Sequence, residues 1–207
     1  MKLSYKSGNA GKIHIYIDDE YKMTADDTFW FSEKWHNLKD INYEELAELE
    51  ASVSSRRAFL CGAGMLARRA HGKEELYRKL CRKYSKEAAC AAVDKLESLD
   101  LLDDEGFAEM LAKDLYTYKK YGITRVNQEL LRRGIDRETA DNAVKKLDKN
   151  DINRIILLLR TKYQSRLCDQ KGINSVKNSL LRLGYSYSDI RSAFSEINTD
   201  AEEFYNE

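Results

Sequence analysis

Leu101-Leu102-Asp103-Asp104-Glu105-Gly106-Phe107-Ala108 reads as a seam between two copies of one unit. Two leucines close one apolar pattern. Asp103 then stands where it can cap a new helix whose first turn carries Asp104 and Glu105, acids set against the partial positive charge of a helix N-terminus.

Shifting the sequence by 50 residues exposes the copies. Val126, Leu130, Leu131, Arg132, Gly134, Ala143 and Leu147 fall on Val176, Leu180, Leu181, Arg182, Gly184, Ala193 and Ile197. An earlier copy aligns Gly72, Leu76, Leu80 and Arg82 with Gly122, Val126, Leu130 and Arg132. After one deleted residue, Ala89, Ala92, Val93 and Leu96 meet Ala140, Ala143, Val144 and Leu147. In each unit the last group has i, i+3, i+4, i+7 spacing, the apolar stripe of a helix, and Ile123, Val126 and Leu130 make a second stripe. Gly134 and Gly184 sit where a left-handed residue ends the middle helix. First helices are expected over 55–70, 104–120 and 151–167, with Lys149-Asn150-Asp151 as a second junction. Three short helices cannot bury their apolar faces alone, so the units must stack.

The expected fold is mostly α: three tandem three-helix repeats in an elongated array, with a small N-terminal β-hairpin and α region. The segments are 1–50 for that region, 52–100, 101–148 and 149–198 for the repeats, and 199–207 for an acidic tail. Ile13, Ile15 and Ile17 alternate with His14 and Tyr16 as in a half-buried strand, and Asp18-Asp19-Glu20 turns the chain into Tyr21-Lys22-Met23. Residues 2–6 add a third strand across Ser7-Gly8-Asn9. Phe29-Trp30-Phe31 with Trp35 covers one face, and Asn42 with Glu45 opens a helix as a capping box.

Composition narrows the classes. The chain of 207 residues contains no proline, so nothing interrupts long helices. Its 35 basic and 35 acidic residues argue against attachment to nucleic acid by net charge alone. The charges are unevenly spread: residues 1–55 carry 6 basic and 11 acidic groups, residues 56–100 carry 11 and 6. Cys61, Cys81, Cys90 and Cys168 show no metal-ligand spacing, and no metal or cofactor is expected. The apolar run Ile155-Ile156-Leu157-Leu158-Leu159 is too short to span a bilayer, and the N-terminus has no signal-peptide core, so a cytoplasmic location without membrane contact is expected. No catalytic constellation emerges. Gly62-Ala63-Gly64-Met65-Leu66-Ala67 lies in a helical stretch without the strand a dinucleotide motif needs. His71 is expected to be half-exposed at a turn. Tyr116, Tyr118 and Tyr121 do not share one helix face, so packing in the core or between repeats is expected in place of base stacking.

Leu66-Ala67-Arg68-Arg69-Ala70-His71, Glu75-Leu76, Lys79-Leu80, Leu101-Leu102-Asp103-Asp104 with Phe107-Ala108, and Tyr121-Gly122 with Arg125, Glu129-Leu130 and Gly134-Ile135 together resemble the RecX regulators of recombination. The resemblance spans roughly residues 55–197. It departs in the first unit, which lacks a glycine before Tyr84, and in the third, which diverges beyond Gly172, Leu180 and Gly184. The resemblance implies tandem three-helix repeats lying along the groove of a RecA–DNA filament and restraining its ATPase, recombinase and strand-exchange activities. It also implies a non-enzymatic monomer acting in DNA recombination, repair and the SOS response. For contacts to RecA or to the DNA within the filament, the candidates are Arg68, Arg69, Lys73, Arg78, Lys79, Arg82 and Lys83 in the first unit, Arg125, Arg132 and Arg133 in the second, and Arg182 in the third. Arg82, Arg132 and Arg182 share one place near the end of the middle helix, where complementing the helix dipole is the alternative role. Weak direct DNA binding, a helix-turn-helix-like DNA module and a general helical scaffold are the competing functional readings.

Overall fold

A computed structural model describes the backbone of residues 1–204 and the side chains of residues 1–197. The chain divides into two compact units, Met1–Asp103 and Asp104–Glu207, so the division falls inside the stretch read as a seam.

The first unit begins with an antiparallel meander of β1 (Leu3–Ser7), β2 (Lys12–Ile17) and β3 (Glu20–Asp26). Asp18 (φ 48°) and Asp19 (φ 65°) form the two-residue turn between β2 and β3; both are left-handed, matching the twist of the strands they join. Ile13, Ile15 and Ile17 all face inward as their alternation requires, against Trp30, Trp35, Leu49 and Val53. Trp30 belongs to α1 (Asp27–Ser32) and Trp35 to a 3-10 turn, Lys34–Asn37. Asp26 caps α1 by accepting the Phe29 N–H at 3.0 Å, and Arg56 grips the same carboxylate through two bonds of 3.0 Å.

Asn42 and Glu45 form the reciprocal capping box, and the helix they open, α2, runs unbroken over Tyr43–Leu66. It passes straight through residues 50–52, where the sequence divides an N-terminal region from a first repeat. Leu49 and Val53 of α2 pack in the sheet core, while Ala58 packs with Leu76, Leu80, Ala89, Ala92, Val93 and Leu96. Those residues come from α3 (Lys73–Leu80) and α4 (Lys86–Ser98, capped by Ser85). Gly62 lets α2 approach α4, since a Cβ there would lie 2.8 Å from Leu96 Cδ1. Without a glycine, α3 ends by a tight turn in which the Lys83 and Tyr84 N–H groups both return to the Leu80 carbonyl, at 2.9 and 3.0 Å.

The second unit holds two three-helix groups. α5 (Asp104–Thr117), α6 (Ile123–Arg132) and α7 (Arg137–Lys145) enclose Phe107, Leu111, Val126, Leu130, Ala140 and Val144. α8 (Asp151–Thr161), α9 (Gln170–Arg182) and α10 (Tyr187–Phe204) enclose Ile155, Leu159, Val176, Leu180, Ile190 and Ala193. Gly134 (φ 89°) and Gly184 (φ 90°) take the left-handed position, and the next residue's N–H returns to the Leu130 or Leu180 carbonyl at 3.2 Å in both copies. The first helices stop earlier than expected. α5 ends at Thr117 because Lys120 turns left-handed (φ 58°) and the Tyr121 N–H reaches back to the Leu115 carbonyl at 3.2 Å. α8 ends at Thr161, and the chain makes a separate 3-10 turn, Gln164–Arg166, before α9. The acidic tail expected over 199–207 lies outside the described side chains, although α10 itself extends to Phe204. Among the described residues no helix is long and apolar enough to cross a membrane, and no group of three His, Cys, Asp or Glu residues is placed to hold a metal.

Candidate functional site

The middle helices α3, α6 and α9 carry most of the charged side chains singled out in the sequence. In α3, Glu75 and Lys79 stand one turn apart, and the Glu75 carboxylate accepts Lys79 Nζ at 3.0 Å and Arg69 Nη2 at 2.7 Å. Burial acts to raise the Glu75 pKa, but the hydrogen bonds and charges of Arg69 and Lys79 outweigh it and bring the group to about 2. His71 closes this cluster, with Nδ1 3.6 Å from the same carboxylate. At 5% exposure it is buried, which corrects the half-exposed turn position read from the sequence. Burial, then the positive charges of Arg69 and Lys79, hold its pKa below the ordinary histidine value against the pull of Glu75.

Four of the seven first-unit candidates are therefore tied to acids: Arg69 and Lys79 to Glu75, Arg78 to Glu74 at 2.7 Å, and Lys73 to Glu97. Arg68, Arg82 and Lys83 are exposed. Such exposed cations offer a phosphate or carboxylate a partner at little desolvation cost, whereas a paired cation must first give up its acid.

α6 reverses the order of charge. Arg125 stands at the position of Glu75 and Glu129 at that of Lys79, so the one-turn pair persists with its signs exchanged. Glu129 accepts Arg125 Nη2 at 3.2 Å and Arg132 Nη2 at 2.7 Å. Burial acts to raise the Glu129 pKa, and these two guanidiniums overcome it and lower it. α9 has Ser175 and Ser179 at the two positions, and Arg182 Nη2 donates to Ser179 Oγ at 3.2 Å. Among these polar positions it is the arginine at or just past the helix end that is constant across the three. Arg82, Arg132 and Arg182 are all exposed, and Arg133 is half-buried beside Gly134.

One cluster was not anticipated. Arg154 of α8 is largely buried, its guanidinium carbon 3.4 Å from the centroid of the Tyr116 ring. It pairs with Asp151 at 3.0 Å, donates to the Tyr121 carbonyl at 3.3 Å and also donates to the Tyr116 carbonyl. The Tyr185 ring centroid lies 5.8 Å from the same guanidinium carbon, and Tyr185 Oη donates to the Lys120 carbonyl at 2.9 Å. Burial pushes the Tyr185 phenol up to about 12. The sequence held two signals for this cluster: an arginine, Arg154, directly before the apolar run Ile155–Leu159 of α8, and a tyrosine at the repeat position that Ile135 fills in the preceding copy. Close by, the Gly122 N–H donates to the Leu183 carbonyl at 2.8 Å, and a Cβ on Gly122 would stand 2.4 Å from the Gly184 carbonyl oxygen. Tyr116 is thus packed as expected, but Tyr118 is not: the residue is 78% exposed.

Comparison with known proteins agrees with this geometry. Residues 103–144 match the family model described as RecX, second three-helix domain. The regulatory protein RecX of Clostridioides difficile is 23% identical over 199 residues, covering 95% of this chain and 94% of that protein. That of Staphylococcus carnosus is 25% identical over 210 residues, covering 98% of this chain and 78% of its own length. Among solved structures, a regulatory protein RecX superposes with a TM-score of 0.71 at 16% identity, over 94% of this chain and 98% of that one. RecX from Lactobacillus salivarius gives 0.59 at 22% identity, over 70% and 97%. A matched three-helix domain, relatives aligned along most of their length and a shared fold make the chain similar to the RecX regulatory proteins.

Proposed function

We propose that the protein is a non-enzymatic, cytoplasmic regulator of the RecA recombinase, mainly an inhibitor. It binds as a monomer in the groove of the RecA–DNA filament and modulates ATP hydrolysis and strand exchange, in the setting of recombination, repair and the SOS response. The observation that carries this reading is the recurrence of an exposed arginine at or just past the end of the middle helix, Arg82, Arg132 and Arg182, in segments 52–100, 101–148 and 149–198. A repeated contact suits a partner that itself repeats, and several modest contacts on one chain bind with high effective concentration. Arg68 and Lys83 extend the cationic surface of the first segment, while Arg69, Lys73, Arg78 and Lys79 contribute through their ion pairs.

The test is to add the protein to RecA assembled on single-stranded DNA, then follow ATP hydrolysis and co-sedimentation. Slowed hydrolysis with the protein in the pellet is expected; no effect on either, at stoichiometric protein, refutes the reading. A second reading, a DNA-binding helical module, draws on the excess of base over acid in residues 56–100. Binding to bare DNA as tight as to the filament, with steep loss in salt, would favour it.

A further inference from the structure

The turn between α5 and α6 has a construction that none of the roles above uses. Tyr118, Lys119 and Lys120 are consecutive and all exposed, Tyr118 at 78%. Beneath them the main chain is fastened from within the second unit. The Tyr116 and Tyr121 carbonyls accept from Arg154, the Lys120 carbonyl accepts Tyr185 Oη at 2.9 Å, and the Gly122 N–H donates to the Leu183 carbonyl at 2.8 Å. The turn is therefore held by its backbone, leaving its side chains free to face outward.

Lys120 adds a second observation. It sits at φ 58°, a left-handed conformation that glycine adopts without strain and that Gly134 and Gly184 supply at the ends of α6 and α9. At 120 the chain keeps a lysine and accepts the strain. Strained residues held by their surroundings cluster at functional positions, and here the surroundings that hold Lys120 are the Tyr185 hydroxyl and the fastened main chain. Lys113 and Asp114 are also exposed on the last turns of α5, and the turn itself presents two exposed lysines beside an exposed aromatic ring.

We infer that this turn is a contact site for single-stranded nucleic acid, with Tyr118 as a stacking platform for one base and Lys119 and Lys120 as partners of the adjoining phosphates. An aromatic ring flanked by cations on a fixed main chain is the combination that strand-tracking proteins use without regard to sequence. The single strand is preferred over duplex because a base within a duplex has both faces stacked already. The inference deepens the proposal above, and its biological setting rests on that reading: the nucleic acid in question is the strand that the filament carries. The site is distinct from the arginines of the middle helices.

The test uses the full chain and fluorescein-labelled oligothymidylate in an anisotropy titration, without RecA. The native protein is expected to bind at low salt. Tyr118→Phe should keep the affinity and Tyr118→Ala should lose about tenfold. Lys119→Gln with Lys120→Asn, asparagine being tolerated in the left-handed region, should lower the slope of log affinity against log salt by about 1.4, two phosphate contacts on a single strand. Circular dichroism melting should match the native protein in each variant. Absence of oligothymidylate binding by the native chain overturns the inference, as does Tyr118→Ala binding like the native chain or Tyr118→Phe failing like alanine. Loss of filament inhibition by Tyr118→Ala with oligothymidylate binding intact would make the ring a protein contact and also overturn it. Because no recombinase is present in the titration, its failure leaves the filament reading standing, and the ATP hydrolysis assay decides that reading separately.

Discussion

The guanidinium of Arg154 stacks on the Tyr116 ring at 3.4 Å from its centroid and also bonds the carbonyl of the same residue. The start of α8 is thereby fastened to the end of α5, two helices of successive repeats. Arg154→Ala should destabilise the second unit by about 3 kcal/mol, since it takes a partner from Asp151 and from two carbonyls and removes a cation from an aromatic face. Arg154→Lys should recover less than half of that, because an ammonium lacks the planar fork that reaches both carbonyls. Urea denaturation monitored at constant m-value measures both; equal midpoints for lysine and arginine would show that charge alone is at work.

Three glycines should respond to alanine in opposite directions. Gly122→Ala sets a Cβ 2.4 Å from the Gly184 carbonyl oxygen, and Gly184→Ala sets one 2.4 Å from Arg125 N at a φ of 90°. Both neighbours are backbone, so the repeats must part, and each change should cost roughly 2 kcal/mol or more. Gly64 lies within α2 with nothing within 4 Å of an added Cβ. Gly64→Ala should stabilise by about 0.5–1 kcal/mol through helix propensity. Thermal melts of the three single variants test the contrast.

Acid should loosen the first unit through two groups acting in the same direction. Glu75 has a folded pKa of about 2 against an ordinary 4.5, so its contribution is complete above 4.5 and disappears as pH falls through about 2. That contribution amounts to at most roughly 3 kcal/mol. His71 is held neutral below its ordinary 6.5, so its share begins to fall as pH drops under that value. Proton NMR titration should find His71 below the ordinary range. Glu75→Gln should move it lower still, since the carboxylate is the group that favours the imidazolium; an upward shift would contradict the assignment.

Arg132 cannot simply be reversed in charge, because Glu129 lies 2.7 Å away and a glutamate there would set two carboxylates together. Arg82→Glu combined with Arg132→Gln is the cleaner variant. It should weaken co-sedimentation with RecA filaments several-fold and leave the melting temperature within a few degrees of native. Native inhibition by this double variant would return both arginines to complementing their helix ends.

Repeat register, both glycine caps and the Asn42–Glu45 box were legible because each depends on residues close in sequence or at one fixed spacing. The cluster around Arg154 was not, since its partners Tyr116, Tyr121 and Tyr185 lie 31 to 38 positions away and converge only after the helices pack. Helix ends were overestimated for a related reason. Lys120 carries no sign of a left-handed turn, and the strain there is held by Tyr185, which belongs to the next repeat. The ion pairs of α3 were within reach, as Glu75 and Lys79 stand one turn apart, yet a basic count over residues 56–100 treats paired and unpaired cations alike.

Because α2 supplies Leu49 and Val53 to the sheet and Ala58 to the first repeat, it is one wall shared by two rooms. Expressing the repeats from residue 52 onward would remove nine residues of that helix with its capping box and leave the remainder without a start. The sheet and the first repeat therefore stand or melt as one cooperative block, so deletion of the N-terminal strands tests the integrity of the repeat as much as any role of the strands themselves.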